Sequence, residues 1–370
     1  MSHVLFISHA RGIHGAEAVM LQAIRACVAG GARVTVVVPS VVPDEGLGEA
    51  LAQVDSLTLL ALPYRAAGVH LLRTRAVQEY NVYALWRLMR FVQNEHVDTI
   101  YSSSSVTIIG AALSRMTHVH HVWHWHEPVS TLYGWHPSLV STYRRWAQHT
   151  QTIICISQQQ KNEWEQTLGV TLANATILYN PIKRIASISS DKSGHKDVRI
   201  GFIGHFEPRK NIPLLVRAFE SLHTRYTNTS LWLCGAQSED DKMYIAQMTN
   251  LREPDVLILP QTPDVASFYN NIDILVLPSW QETMPLVVFE AMQVGTCVLQ
   301  TNRSGMQELL EDGKETYFFS PDQPRELCRL LEQCMNADNR QQIAQAGQRK
   351  ALQLMKTQSF DQQIQNLLCE

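Results

Sequence analysis

"DILVLPSWQETMPLVVFEAMQVGTCVLQT", residues 273–301, decides how this chain is read. "DILVLPS" is an apolar run of strand length. A polar turn follows, then "PLVVFEAMQVG", which reads as a helix because Pro is tolerated in a first turn and Gly ends the last. "TCVLQT" is a second strand-like run. Strand, helix and strand in succession make a βαβ unit, and hence a parallel sheet. Ligands bind such sheets at the C-terminal ends of the strands. The turn 280–284 lies at such an end, before a helix N-terminus whose unpaired N–H groups and dipole favour phosphate. Two acids interrupt the region: Glu282 in the turn, and Glu290 inside an otherwise apolar helix. A carboxylate repels phosphate but accepts hydrogen bonds from hydroxyls. Two of them beside a phosphate site suit a ligand with hydroxyls on both sides of its phosphates, such as a nucleotide sugar.

The same alternation extends outward in both directions. "VRIGFIGHF", "TSLWLCGAQ" and "VLILP" are further strands of the second half, with "NIPLLVRAFESLHTRY" a helix between the first two. In the first half, "HVLFISH", "ARVTVVVPS", "SLTLLALP", "VDTIYSSSS", "HVHHVWHWHEP" and "TIICIS" read as strands and "GAEAVMLQAIRACVAGG" as a helix. Apolar, β-branched strands of this kind are buried on both faces, as in parallel sheets. A polar break, "ASISSDKSGHKD" (186–197), separates the halves. The expected fold class is α/β, two doubly wound Rossmann-like domains, the usual count for 370 residues.

Hydrophobic residues are 45% and charged residues 18%, which suits a globular chain with a large core. No apolar stretch approaches the roughly 20 residues of a membrane helix. "MSHVLFISHARG" reads as a first strand rather than a leader. The seven Cys are scattered without a CxxC, which is the usage of a reducing compartment and predicts a cytoplasmic protein. Residues 1–185 hold 14 Lys and Arg against 11 Asp and Glu; residues 186–370 hold 17 against 23. So mild an asymmetry gives no nucleic-acid footprint. "HARGIHG" stands where a nicotinamide enzyme would carry GxGxxG.

"LPSWQETMPLVVFEAMQVGTCVLQTNRSGMQELL" resembles the signature of glycosyltransferase family 4, a group with the two-domain GT-B fold. The family's E-x7-E motif matches Glu282 and Glu290, and its small-residue turn followed by Glu matches Ser304, Gly305 and Glu308. "GIHGAEAVMLQAIRACVAGGARVTVVVP", "VWHWHEP", "ICISQQQ", "ILYNPI" and "GFIGHFEPRKN" fall in the family's order, so the resemblance covers most of the chain. It implies two domains facing a central cleft: 1–183 as acceptor domain, 184–350 as donor domain, and 351–370 as a helix crossing back onto the first. Glu282 then contacts the donor sugar, Glu290 the ribose, and the amides near Leu286 and Val287 the diphosphate. His126 matches the family His that contacts donor sugar and phosphate. Where the family has Arg directly after the Gly of "GHFEPRKN", this chain has His205; the family's Lys is kept as Lys210, preceded by Arg209. Those two cations are the expected stabilisers of the leaving diphosphate. The family's paired Gly is reduced to His14–Gly15, with Gly15 still placed to approach a ligand closely.

Other stretches carry weaker signals. "HVHHVWHWHE" (118–127) has five His, read chiefly as polar packing in a strand apart from His126, with Glu127 beside it. There is no Asp-x-Asp, and "SEDDK" (238–242) reads as a solvated loop, so no metal is implied. "YRAAGVHLLRTRAVQEYNVYALWRLMRF" (64–91) reads first as a helix with Leu85 and Trp86 packed inside. Its Arg65, Arg73, Arg75, Arg87 and Arg90 among aromatics also suit a lipid-linked or anionic acceptor at a membrane face.

The expectation is a retaining glycosyltransferase of polysaccharide or glycolipid synthesis. His126, Lys210 and Glu282 are its catalytic residues; Gly15, Arg209, Lys210, Glu282, Leu286, Val287 and Glu290 bind the donor. It uses no cofactor beyond the nucleoside-diphosphate sugar substrate, and its other partner is a saccharide or lipid-linked acceptor. The alternatives are a nucleotide-sugar epimerase of the same fold and a non-catalytic nucleotide-sugar binder.

Overall fold

The computed structural model describes residues 1–41, 44, 46–65, 75–129, 137–185, 197–262 and 264–369. Arg73 and nearly all of the polar break lie outside the described residues. The chain forms two compact units: Met1–Pro181 with Ser359–Glu370, and Ile182–Gln358.

Unit 1 runs β1 (His3–Ile7), α1 (Gly15–Ala29), β2 (Arg33–Pro39), α2 (Leu47–Ala52), β3 (Leu57–Leu62), α3 (Arg75–Asn94), β4 (Thr99–Ser103), α4 (Ile108–Thr117), β5 (His120–Trp125), α5 (Pro137–His149), β6 (Thr152–Cys155), α6 (Gln158–Leu168) and β7 (Ala175–Ile177). Among the described residues its sheet has the order β3-β2-β1-β4-β5-β6-β7, all parallel. Unit 2 runs β8 (Val198–Ile203), α7 (Ile212–His223), β9 (Thr229–Ala236), α8 (Glu239–Ala246), β10 (Val256–Pro260), α9 (Val265–Asn271), β11 (Ile274–Leu277), α10 (Leu286–Gln293), β12 (Cys297–Thr301), β13 (Tyr317–Phe319), α11 (Pro324–Met335) and α12 (Ala337–Thr357). Its parallel sheet has the order β10-β9-β8-β11-β12-β13. Both sheets are doubly wound, as their doubly apolar strands require. In each, the chain builds outward from a first strand, then returns to build on that strand's other side. The switch points lie between β1 and β4, and between β8 and β11. There the following loops diverge and open a crevice at the strands' C-terminal ends.

The last helix, α13 (Phe360–Cys369), belongs to unit 1 and packs on α1. Its buried residues Phe360, Ile364 and Leu368 follow helical spacing, and Gln365 Nε2 donates to the Ala26 carbonyl at 2.6 Å. The segment 351–370 is thus not one helix. Residues 351–357 continue α12 in unit 2, and Gln358 turns extended (ψ 114°) before α13 begins.

Three readings are corrected. "SEDDK" is no loop: Ser238 caps α8 in a reciprocal capping box with Asp241, and the acids of its first turn complement the helix dipole. Trp86 does not pack inside. The buried line of α3 is Ala84, Leu88 and Val92, and Trp86 lies off it, 47% exposed. His118 is outside the strand, in left-handed conformation (φ 59°) at the end of α4. The buried His residues are polar packing as expected: Ser102 Oγ lies 2.9 Å from His121 Nε2, and Tyr101 Oη 2.6 Å from His124 Nδ1. All seven Cys are free thiols. Among the described residues no helix is long and apolar enough to cross a membrane.

Candidate active site

The switch point of unit 2 gathers side chains from three loops. After β8, Gly204 takes φ 148° and the chain turns through a short 3₁₀ segment, Pro208–Lys210. After β11 comes the loop to α10. After β12 comes a loop that bridges back to the second: Glu282 pairs with Ser304 as an isolated parallel bridge. Backbone bonds lock the three together. Trp280 N–H donates to the Arg209 carbonyl (3.0 Å), Glu282 N–H to that of Arg303 (2.9 Å), and Gly305 N–H to that of Thr283 (2.8 Å).

Glu282 is the hub. It is only 7% exposed. Lys210 Nζ lies 2.7 Å from its Oε1, Ser279 Oγ donates to the same oxygen at 2.6 Å, and Arg209 Nη1 is 3.4 Å from Oε2. Burial on its own would raise its pKa, but Lys210 and Arg209 outweigh this and hold it below the usual carboxylate range. A carboxylate has about four acceptor sites. Oε1 is doubly used, and Oε2 keeps room to accept from a ligand hydroxyl.

α10 begins at Leu286 behind an extended Pro285, with no side chain capping it. The N–H groups of Leu286 and Val287 belong to its first turn and have no intrahelical acceptor. One turn further, Glu290 accepts from the Tyr269 hydroxyl at 2.8 Å; burial raises its pKa, against the Tyr269 bond and the Lys183 charge. His205 stands 3.0 Å from Gln237 Nε2 through Nδ1.

The switch point of unit 1 holds a second polar cluster. His126 follows β5, buried, its ring 4.0 Å from that of His124. Burial pushes its pKa down to about 4, so it is neutral at pH 7. Glu127 is clamped by Ser104 Oγ, by Ser105 N–H (2.9 Å) and by Ser105 Oγ (2.8 Å) at the end of β4. Its own pKa would rise with burial, but the nearby His9 and His126 and these bonds bring it below the usual range. His9, at the end of β1, pairs with the wholly buried Glu17 of α1 (2.9 Å). Gly15 opens α1, and a Cβ added there would meet nothing within 4 Å.

The structure therefore brings Arg209, Lys210 and Glu282 into contact, and places Leu286, Val287 and Glu290 on the adjoining helix. His126 and Gly15 lie at the C-terminal edge of the other sheet. His9, Glu17, Ser104 and Ser105 were missed. Glu17 had the same signal as Glu290, an acid inside an apolar helical run, and could have been found by it. Among the described residues, no three His, Cys, Asp or Glu are grouped to hold a metal ion.

Residues 13–184 match the family described as Glycosyltransferase Family 4, and residues 185–350 match Glycosyl transferases group 1. An uncharacterized glycosyltransferase of Haemophilus influenzae is 25% identical over 190 residues, 50% of this chain and 51% of that protein. The capsular polysaccharide biosynthesis glycosyltransferase CapM of Staphylococcus aureus is 22% identical over 173 residues, 45% of each. The chain thus spans about half the length of these two curated relatives. Anabaena Alr3699/HepE, solved in complex with UDP and glucose, superposes with a TM-score of 0.80 over 100% of both chains at 18% identity. At that identity the likeness shows the fold, GT-B.

Proposed function

We propose, because the chain belongs to the glycosyltransferases that join a family 4 region to a group 1 region, that it moves a sugar from a nucleoside diphosphate to an acceptor hydroxyl with retention of configuration. The observation that carries this reading is the Lys210–Glu282 pair at the β8/β11 switch point, beside the uncapped start of α10. A diphosphate lying there meets Lys210, Arg209 and the amides of Leu286 and Val287. The sugar offers a hydroxyl to Glu282 Oε2, and the ribose its hydroxyls to Glu290. When the anomeric C–O bond breaks, the diphosphate oxygen gains charge, and the cations and helix dipole stabilise it. The acceptor hydroxyl bonds to the anomeric carbon from the same face, and its proton passes to the departing phosphate oxygen. His126, as neutral imidazole, and Gly15 are the assigned donor contacts of unit 1. We assign acceptor binding to 1–181 with α13, and donor binding to 182–358. Incubation with a panel of nucleotide sugars and saccharide or lipid-linked acceptors should yield glycoside and free nucleoside diphosphate; epimerised donor or no turnover would overturn the reading. With charge stabilised by Lys210 and Arg209, at least half the turnover is expected to persist in excess EDTA. Complete loss restored by a divalent ion would refute metal independence.

The surface of α3 supports a reading of the acceptor class. Val82, Tyr83 and Trp86 are exposed, with Arg87 5.9 Å over the Tyr83 ring and Arg90 5.3 Å over that of Trp86. A cavity of about 500 Å³ between β3 and α3 is lined by Leu60, Leu62, Leu88 and Phe91, with Arg87 and Arg90. This face suits an anionic bilayer, which supports a peripheral position at a cytoplasmic membrane surface and a polysaccharide or glycolipid acceptor. Each Arg near such a surface contributes about 1 kcal/mol. Arg87→Gln with Arg90→Gln should therefore weaken sedimentation with phosphatidylglycerol vesicles by roughly 30-fold. Wild-type sedimentation by the double variant would remove the membrane contact.

A further inference from the structure

Tyr269 is buried in unit 2 and has no part in the reaction above. It is tied at both ends. Its carbonyl accepts from Thr296 Oγ1 at 3.1 Å, and its hydroxyl donates to Glu290 Oε2 at 2.8 Å. Its helix, α9, is itself fixed at the start, where the Asp264 side chain accepts from Ser267 N–H at 3.0 Å. α9 leads into β11 and α10 leads out of it, and the two helices contact each other. A phenol in this position is costly without an acceptor, and a buried carboxylate without a donor both rotates and takes up a proton more readily. The charged and titratable groups acting on Glu290 are Tyr269 and, from the segment before β8, Lys183; Cys234 on β9 acts in turn on Tyr269. Oε2 is thus committed to the protein, and Oε1 is the oxygen left for a ligand.

We infer that Tyr269 is a positioning residue for nucleotide recognition: its hydroxyl holds Glu290 by Oε2 and so presents Oε1 to the ribose hydroxyls. This rests on the ribose role assigned to Glu290. The arrangement makes the selection of ribose over deoxyribose a property of a helix pair rather than of one carboxylate.

The test is calorimetry of the full chain with UDP, ADP and GDP and their 2′,3′-dideoxy counterparts. Wild type is expected to prefer the ribonucleotide about tenfold or more, the worth of one charged hydrogen bond. Tyr269→Phe keeps the ring and its packing. It should lose most of that preference while binding the dideoxy form as wild type does, a split that a merely structural role would not produce. The acid limb of ribonucleotide binding should also move to higher pH, because the bond that opposes protonation of Glu290 is gone. Replacement of Tyr269 by 3-fluorotyrosine, whose more acidic hydroxyl strengthens the bond without changing the core, should move that limb the other way. If Glu290→Ala abolishes the preference but both Tyr269 variants keep the wild-type preference and pH limb, the positioning role is overturned and the ribose reading stands. If Glu290→Ala keeps the preference, or no nucleoside diphosphate binds, the ribose reading falls and this inference with it.

Discussion

Lys210→Ala is expected to lower kcat by about 10²- to 10³-fold with the fold intact, the usual loss when one preorganised stabiliser of developing charge is removed. Lys210 Nζ is 2.7 Å from Glu282 Oε1 and side-chain exposure there is 17%, so the ammonium sits where water is largely excluded. Its charge is needed most as the diphosphate leaves, and the loss should therefore fall on kcat more than on donor affinity. Arg209 remains at 3.4 Å from Glu282 Oε2 and at 32% exposure, too loosely held to take over. A second consequence follows from the pair. Glu282 has a depressed pKa, so the stability it contributes is present above the unfolded carboxylate's pKa and is lost as pH falls through the lower folded one. Removing Lys210 takes away the largest opposing charge, and the variant should unfold at a less acidic pH than wild type. Steady-state kinetics with an acid titration checks both. A kcat within twofold of wild type would assign the leaving-group charge elsewhere.

Gly235→Ala is expected to destabilise unit 2 by about 3–5 kcal/mol, the range in which overpacking and backbone strain combine. Gly235 on β9 has φ 134°, a conformation that L side chains rarely adopt. A Cβ there would stand 2.1 Å from the Gly204 carbonyl oxygen and 2.8 Å from its carbon, both backbone atoms that cannot swing aside. Gly204 begins the loop that carries Arg209 and Lys210, so any accommodation displaces the cations as well. Calorimetry should show the transition of unit 2 lowered by roughly 10 °C or more. A shift under about 3 °C would mean that the β8 and β9 ends separate at little cost.

Much of this protein could be read directly. The apolar, β-branched runs reported strands buried on both faces; Glu282 and Glu290 were marked because acids beside and inside an apolar run need a reason, and Arg209 and Lys210 by the resemblance of "GHFEPRKN" to the family's pattern. The helical spacing of Phe360, Ile364 and Leu368 was likewise visible. Short-range chemistry that was legible and passed over includes the Ser238/Asp241 capping box and the buried line of α3, which excludes Trp86 by its spacing.

The remainder depended on strand order. Lys210 and Glu282 are 72 positions apart, and only the adjacency of β8 and β11 makes them an ion pair. His9, Glu17, Ser104, Ser105 and Glu127 come together for the same reason, at the β1/β4 switch point. Periodicity along a chain records which side of an element is apolar. It carries no term for which strand lies next to which, because that choice is settled by pairing and packing across the whole sheet. Burial acts at the same level. Its cost sets the ionisation of Glu290 and His126, and it exists only once the surrounding elements have closed over them.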